Sequence, residues 1–323
     1  VSNGSVFHGV LSRAPRRPAA GAAALFLAVG VLTACSGEPG GPAARRDDAR
    51  GPVAASSPAA QPPRQRPQPS EPSGAPPWSA PAESPSSAPS PQDAPQAADG
   101  PLKGKVVVVD PGHNVHNSEH TAEINRQVDI GNGRKECDTT GTETDAGYAE
   151  AAFSLDVAHR LRALLRARGA TVTLTHDGDR PWGPCVTERA DIGNKAHGDA
   201  AVSIHADGAA VGQRGFHVIL PAQVHAGRAD TSAIVGPSKE LGARIAGNFV
   251  RSTGTPASNY VGGGTGLDTR GDLGGLNLSV IPKVFIECGN MKDPRDAASL
   301  TDASWREKAA QGIADGITDF LRG

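Results

Sequence analysis

Three observations predict an α/β fold, a single domain with a mainly parallel, mixed central sheet covered by helices on both faces. Lys105-Val106-Val107-Val108-Val109 is a β-branched apolar run that stops at the turn signal Asp110-Pro111-Gly112, the pattern of a strand buried on both sides. Further short apolar runs alternate with segments whose apolar residues recur at helical spacing, which argues for parallel strands joined through helices. Polar residues suited to chemistry follow several of these runs, and in open α/β sheets the carboxyl edge of the strands is where ligands and catalytic groups collect.

Taken from its start, the chain opens on an export signal. Arg13, Arg16 and Arg17 precede an apolar run from Ala19 to Leu32, which leads into Thr33-Ala34-Cys35. A basic segment, a short apolar stretch and small residues at a cleavage point make a secretory signal, and the run is short for a membrane span. Leu32-Thr33-Ala34-Cys35 resembles the lipobox of bacterial lipoproteins, which implies lipidation of Cys35 and anchoring on the outer face of the membrane; an ordinary signal peptide or an uncleaved anchor is the alternative. Residues 1–35 are therefore read as the signal. Residues 36–100, rich in Pro, Ala, Ser, Gln and Gly, have too few large apolar side chains to offset the entropy of folding and read as a disordered linker. Extended as polyproline II, such a segment spans at most on the order of 200 Å.

Residues 101–323 are enough for one sizeable core. A long polar loop, Asn114 to Asp145, follows the first strand. Tyr148 to Arg168 is a helix on the spacing of Phe153, Val157, Leu161, Leu164 and Leu165, with Gly169 as its stop. Thr171 to Thr175 is the second strand, Thr187 to His197 a helix that Thr187 would cap, and Ala200 to His205 a short buried strand. Phe216 to Leu220 is a further strand, and Ser238 to Ser252 a helix through Leu241, Ile245 and Phe249. The Gly-rich stretch Gly262 to Gly275 lacks the spacing of a phosphate cradle and reads as a mobile loop. Lys283 to Cys288 is another buried strand, and Trp305 to Phe320 a closing amphipathic helix.

The formal net charge of -2, without a basic stripe and interleaved aromatics, argues against nucleic acid as a partner. Cys137 and Cys185 lie in polar loops and form the natural disulfide pair in an oxidising compartment, while Cys288, inside an apolar run, reads as a buried thiol. No Cys-x-x-Cys spacing supports a cysteine zinc cluster.

His113 follows the first strand, His205 ends Ser203-Ile204-His205, Glu287 follows Phe285-Ile286, and Glu150 lies in the first turn of a helix. Two imidazoles and a carboxylate make a three-ligand zinc site with an open position, and the other carboxylate can take a proton from water. Each residue also has a plain structural reading. Glu150 suits a helix N-terminus, His205 a hydrogen-bonded core, and Glu287 a buried ion pair.

Together, Asp110-Pro111-Gly112-His113, Glu150, Ala201-Val202-Ser203-Ile204-His205-Ala206-Asp207 and Val284-Phe285-Ile286-Glu287-Cys288-Gly289-Asn290 resemble, in the same order, the zinc-dependent N-acetylmuramoyl-L-alanine amidases of the Amidase_3 type. Glu188-Arg189-Ala190 to Asn194-Lys195 resembles that family too, and the cysteine pair with Gly147-Tyr148-Ala149-Glu150 its actinobacterial branch. The resemblance implies one zinc ion held by His113, Glu150 and His205, with Glu287 as the catalytic glutamate; Glu119, Glu123, Glu136 and Glu143 are alternatives to Glu150. It further implies cleavage of the amide between N-acetylmuramic acid and L-alanine. The implied partners are muramyl peptides, the membrane through the lipid anchor and, as an open option, an activator protein; no exposed apolar helix asks for a second subunit, so a monomer is expected. Asn114, where many members have glycine, and His176, where arginine is common, are departures from the family pattern. The alternative function is a non-catalytic wall-binding or regulatory module on the same fold.

Overall fold

Alternation along the strands decides which side of the sheet meets the helices. The computed structural model describes residues 99–323, so the expected signal, Cys35 and nearly all of the expected linker lie outside the described residues. β1 (Val106–Pro111) turns Val107 and Val109 to the main core and Val108 to a smaller cluster on the opposite face. The polar loop that follows is not featureless. It holds the single turn α1 (Thr121–Ile124) and a hairpin of β2 (Gln127–Asp129) and β3 (Arg134–Glu136). Next come α2 (Glu150–Ala167), β4 (Thr171–Leu174), α3 (Val186–Lys195) and β5 (Ala200–Asp207). β6 (His217–Pro221) precedes a small hairpin of β7 (His225–Ala226) and β8 (Ala229–Asp230), then α4 (Val235–Thr253). β9 (Leu267–Arg270), α5 (Gly274–Asn277), β10 (Lys283–Asn290), α6 (Pro294–Thr301) and α7 (Ala303–Arg322) complete the chain.

The sheet runs β4-β1-β5-β10-β6-β9. β4, β1, β5 and β10 are parallel, β6 is antiparallel to β10, and β9 is parallel to β6, so the sheet is mixed and mainly parallel as expected. On one face, Val202, Ile204, Val284 and Ile286 pack under α2, α4 and α7 through Phe153, Leu161, Leu241, Ile245, Phe249 and Ile313, all fully buried. On the other, α3 sits over Val108, with Ala196 packed beside Ala201 and Ile281. The intervening residues of β5 and β10 on this second face are polar toward the carboxyl end: Ser203, His205 and Asp207 beside Phe285 and Glu287. Among the described residues no helix is long and apolar enough to cross a membrane.

Three expectations are corrected. Gly262–Gly275 is not an unstructured mobile loop, because it carries the edge strand β9 and the first part of the turn α5; Gly262 and Gly274 serve close approach, since a Cβ would stand 2.2 Å from the Leu267 carbonyl oxygen at the first and 2.6 Å from Ile130 Cγ2 at the second. Thr187 does not cap α3. That helix starts one residue earlier, with Cys185 at its N-cap, and the Val186 amide donates to the carbonyl of Cys137 at 2.7 Å beside the Cys137–Cys185 disulfide. His205 does not end its strand, since β5 continues to Asp207.

Candidate metal centre and catalytic site

Glu150, the first residue of α2, points its carboxylate over the carboxyl edge of the sheet. Oε2 accepts the Thr142 amide at 2.9 Å and Oε1 the Ala206 amide at 3.2 Å, so two main-chain donors fix it. The same Oε1 faces Nε2 of His113 and Nδ1 of His205, each at 3.0 Å. The remaining nitrogens define the tautomers. His113 Nδ1 is 3.1 Å from the Thr139 carbonyl, which only accepts, so Nδ1 carries hydrogen. His205 Nε2 is 3.2 Å from Ser203 Oγ, whose own hydrogen goes to Asp110 Oδ2 at 2.9 Å, so Nε2 donates. The neutral rings are left with their lone pairs directed at Glu150. That arrangement is repulsive unless a positive charge lies between them.

A proton or a metal ion meets the need. Burial works against a charged His113, yet Glu150 and Asp138 overcome it and push its pKa up to about 10. The same pairing, against burial, holds Glu150 well below the usual carboxylate range. His113, Glu150 and His205 offer one ligand atom each within 4.8 Å of one another. The main chain packs closely against the ligands at Gly112 and Gly141: a Cβ on Gly112 would lie 2.4 Å from His205 Cε1, and one on Gly141 would lie 2.8 Å from Glu150 Oε2. Carboxylate plus two oriented imidazoles, each with an outer hydrogen-bond partner, is a donor set that fits a zinc-like cation.

Glu287 is paired in register with His205 across β10 and β5, which puts both side chains on one side of the sheet. Phe285 stacks on the His205 ring at 5.2 Å with an interplanar angle of 9°. A cleft of about 370 Å³ lies over these groups, lined among others by His113, Glu150, His205, Asp207, Arg270 and Glu287. Burial, then the charges of Glu150 and Asp207, raise the Glu287 pKa well above the ordinary carboxylate range, with His113 and Arg270 opposing.

Residues 107–319 match the N-acetylmuramoyl-L-alanine amidase family. The chain belongs to that family. It is 41% identical over 227 residues, 70% of this chain and 90% of the relative, to the N-acetylmuramoyl-L-alanine amidase Rv3717 of Mycobacterium tuberculosis. The crystal structure of the N-acetylmuramyl-L-alanine amidase Ami1 from Mycobacterium smegmatis matches with a TM-score of 0.63 and 41% identity, covering 68% of this chain and 98% of that one. Ami1 from Mycobacterium abscessus gives the same TM-score at 38% identity, covering 68% of this chain and all (100%) of that one.

In this amidase His113, Glu150, His205 and Glu287 line one cleft, and Glu119, Glu123, Glu136 and Glu143 are exposed and not part of the ligand group. What motif reading left without a role is the buried charge network behind His113. Arg189 on α3 donates from Nη1 to Asp110 at 2.9 Å, from Nη2 to Asp138 and to the His113 carbonyl, both at 2.8 Å, and from Nε to the Pro184 carbonyl at 2.9 Å. Lys283 Nζ and Thr175 Oγ1 complete the shell of Asp110 at 2.9 and 2.7 Å. His113 has φ of 61°, a costly conformation for a non-glycine residue, and Arg189 holds the main chain there. The family departures are tied in as well. Asn114 Nδ2 donates to the Gly183 carbonyl at 2.9 Å, and His176, kept neutral by burial and by Arg189, donates from Nε2 to the Pro111 carbonyl at 3.0 Å.

Proposed function

We propose that this amidase hydrolyses the bond between N-acetylmuramic acid and L-alanine of the peptidoglycan stem peptide, with one zinc ion held by His113, Glu150 and His205 and with Glu287 as the proton-transfer residue. The observation that carries the reading is the orientation of the imidazoles: each is fixed from behind, by Thr139 or by Ser203, with its remaining nitrogen facing Glu150 Oε1. The chemistry supplied by the metal when bound is Lewis-acid polarisation of the carbonyl and acidification of water.

The chain's own side chains do the rest. Glu287 accepts the proton of the attacking water and delivers it to the nitrogen of the leaving alanine, and the raised affinity of its buried carboxylate for protons suits both transfers. A cation beside Glu150 would offset part of the repulsion that Glu287 feels, which brings it toward the range of a working base. Asp138, Thr139 and Ser203 orient the imidazoles, and Arg189 fixes the turn that presents His113.

We propose also that residues 1–35 direct export, that lipidated Cys35 anchors the protein outside the membrane, and that residues 36–100 tether the catalytic domain of residues 101–323 within reach of the wall. These segments carry their support in sequence: the basic and apolar signal, the lipobox-like Leu32-Thr33-Ala34-Cys35 and the Pro-rich composition. Incubating the protein with muramyl dipeptide and with whole sacculi, with and without chelator, tests the catalytic reading. Released peptide that vanishes with chelator and returns with zinc supports it, and release that is indifferent to chelator contradicts it.

A further inference from the structure

The cleft over the metal ligands is lined by three carboxylates, Glu150, Asp207 and Glu287, and by one arginine, Arg270 of β9. That guanidinium is held side-on by a single partner. Nε donates to Asp272 Oδ1 at 2.9 Å and Nη2 to Asp272 Oδ2 at 2.7 Å, which leaves Nη1 and one hydrogen of Nη2 for another acceptor. Asp272 Oδ2 also accepts Lys135 Nζ at 2.8 Å, so two cations share that carboxylate, while Asp268 and Glu287 also lie within electrostatic reach of Arg270. Lys135 comes from the β2–β3 hairpin and lines an adjoining cavity of about 190 Å³ that shares Leu273 and Phe285 with the cleft.

The arrangement is built, because the hairpin is stitched to the turn that carries Asp272. Asn132 Nδ2 donates to the Gly271 carbonyl at 2.7 Å, and Asn132 Oδ1 accepts from Asn277 Nδ2 at 2.9 Å. On the far side of Gly141, a second cleft of about 420 Å³ offers neutral polar groups, Asn114, Ser118, Thr140 and Thr142, alongside Glu143.

A muramoyl peptide is asymmetric in charge. Once its lactyl carboxyl is tied up in the scissile amide the sugar is neutral, whereas the residue after alanine in the stem is an acidic, γ-linked glutamate. Resting on the amidase reading, we propose that Arg270, with Lys135 around Asp272, is a carboxylate receptor for that acidic residue. It fixes the direction of the substrate, with the peptide toward β9 and the hairpin and the sugar toward Thr140 and Thr142. A guanidinium already oriented by Asp272 binds a carboxylate with little further ordering, which favours this role over that of a surface ion pair.

The test compares kcat/KM of the full chain, loaded with zinc, for N-acetylmuramoyl-L-alanyl-D-glutamate and for its neutral diamide. The wild type favours the acid by roughly 10- to 100-fold, the range of one charge-assisted hydrogen-bonded contact, and the preference sits in KM. Arg270→Gln brings the ratio close to one, Arg270→Lys leaves it intermediate, and Lys135→Gln lowers it several-fold. A wild type indifferent to the charge, or an Arg270→Gln protein that keeps the preference, overturns the receptor while leaving the amidase reading intact. If Arg270→Gln does not fold, the ratio in Arg270→Lys decides, and a value equal to wild type overturns the proposal. Hydrolysis of neither compound by any form contradicts the amidase reading itself.

Discussion

Arg189 donates to the main-chain carbonyl of His113 at 2.8 Å from a position almost wholly out of solvent, with 5% of its side chain exposed. The contact links the ligand loop to α3, and α3 is tied to the neighbouring loop by the Cys137–Cys185 disulfide. Asp138, next to Cys137, receives the same guanidinium and also lies 3.7 Å from His113 Nδ1. Stability and ligand geometry therefore depend on one buried cation.

Arg189→Met is expected to destabilise the protein by roughly 3–5 kcal/mol, since it leaves Asp110 and Asp138 buried with a partner removed. Urea unfolding at neutral pH measures the loss. A change below about 1 kcal/mol would mean that Lys283 and the hydroxyls of Thr175 and Ser203 suffice.

Gly112→Ala tests how tightly the ligand rings are seated. The new methyl would overlap the His205 ring, which Phe285 backs at 5.2 Å, so the imidazole has to rotate off its ligand position. Zinc affinity is expected to fall by roughly 10- to 100-fold with the far-ultraviolet dichroism retained. Wild-type affinity would show that the loop yields instead of the ring.

Much of this arrangement is legible in the chain before folding. His113, His205 and Glu287 stand out as polar groups at or near the ends of apolar runs, whereas Glu150 is singled out from the other glutamates of the preceding loop only by the family resemblance and by its place on a helix. The signal for the network is weaker, and Arg189 on α3 and Lys283 at the head of β10 look like ordinary surface charges. Only the parallel register, which sets Asp110 beside Ser203 and brings Lys283 within 2.9 Å of Asp110, shows that they are buried together. β9 escapes for a related reason. Its Leu267-Asp268-Thr269-Arg270 has one large apolar residue, and pairing with β6 at the sheet edge, not local propensity, makes it a strand.

Acid stability follows from the depressed carboxyls. Against burial, Lys283 and Arg189 hold the Asp110 pKa far below the ordinary value, and Arg189 and His113 do the same for Asp138. A group with a lowered folded pKa contributes stability above its unfolded value of about 3.9 and loses it as the pH falls further. The urea midpoint should drop steeply below about pH 4, and Asp138→Asn should flatten that drop. An unchanged slope in the variant would contradict the assignment.

The metal-free protein carries the opposite dependence at high pH. His113 is raised from 6.5 to about 10, so the stability it contributes is fully present below pH 6.5 and is lost as the pH climbs through 10. A metal takes the place of that proton, so the melting temperature of the metal-free form should decline across this window more than that of the zinc-loaded form. Parallel declines would show that metal and proton do not compete at His113.

Glu287→Gln is the most direct measurement, because it removes the proton acceptor while keeping its size. Zinc content and kcat on muramyl dipeptide should be determined on the same preparation. We expect close to one zinc per chain together with a loss of roughly 10²- to 10⁴-fold in kcat, the usual contribution of general acid–base catalysis. Near-normal turnover with zinc bound would contradict the role of Glu287, and loss of the zinc itself would make Glu287 part of the metal site.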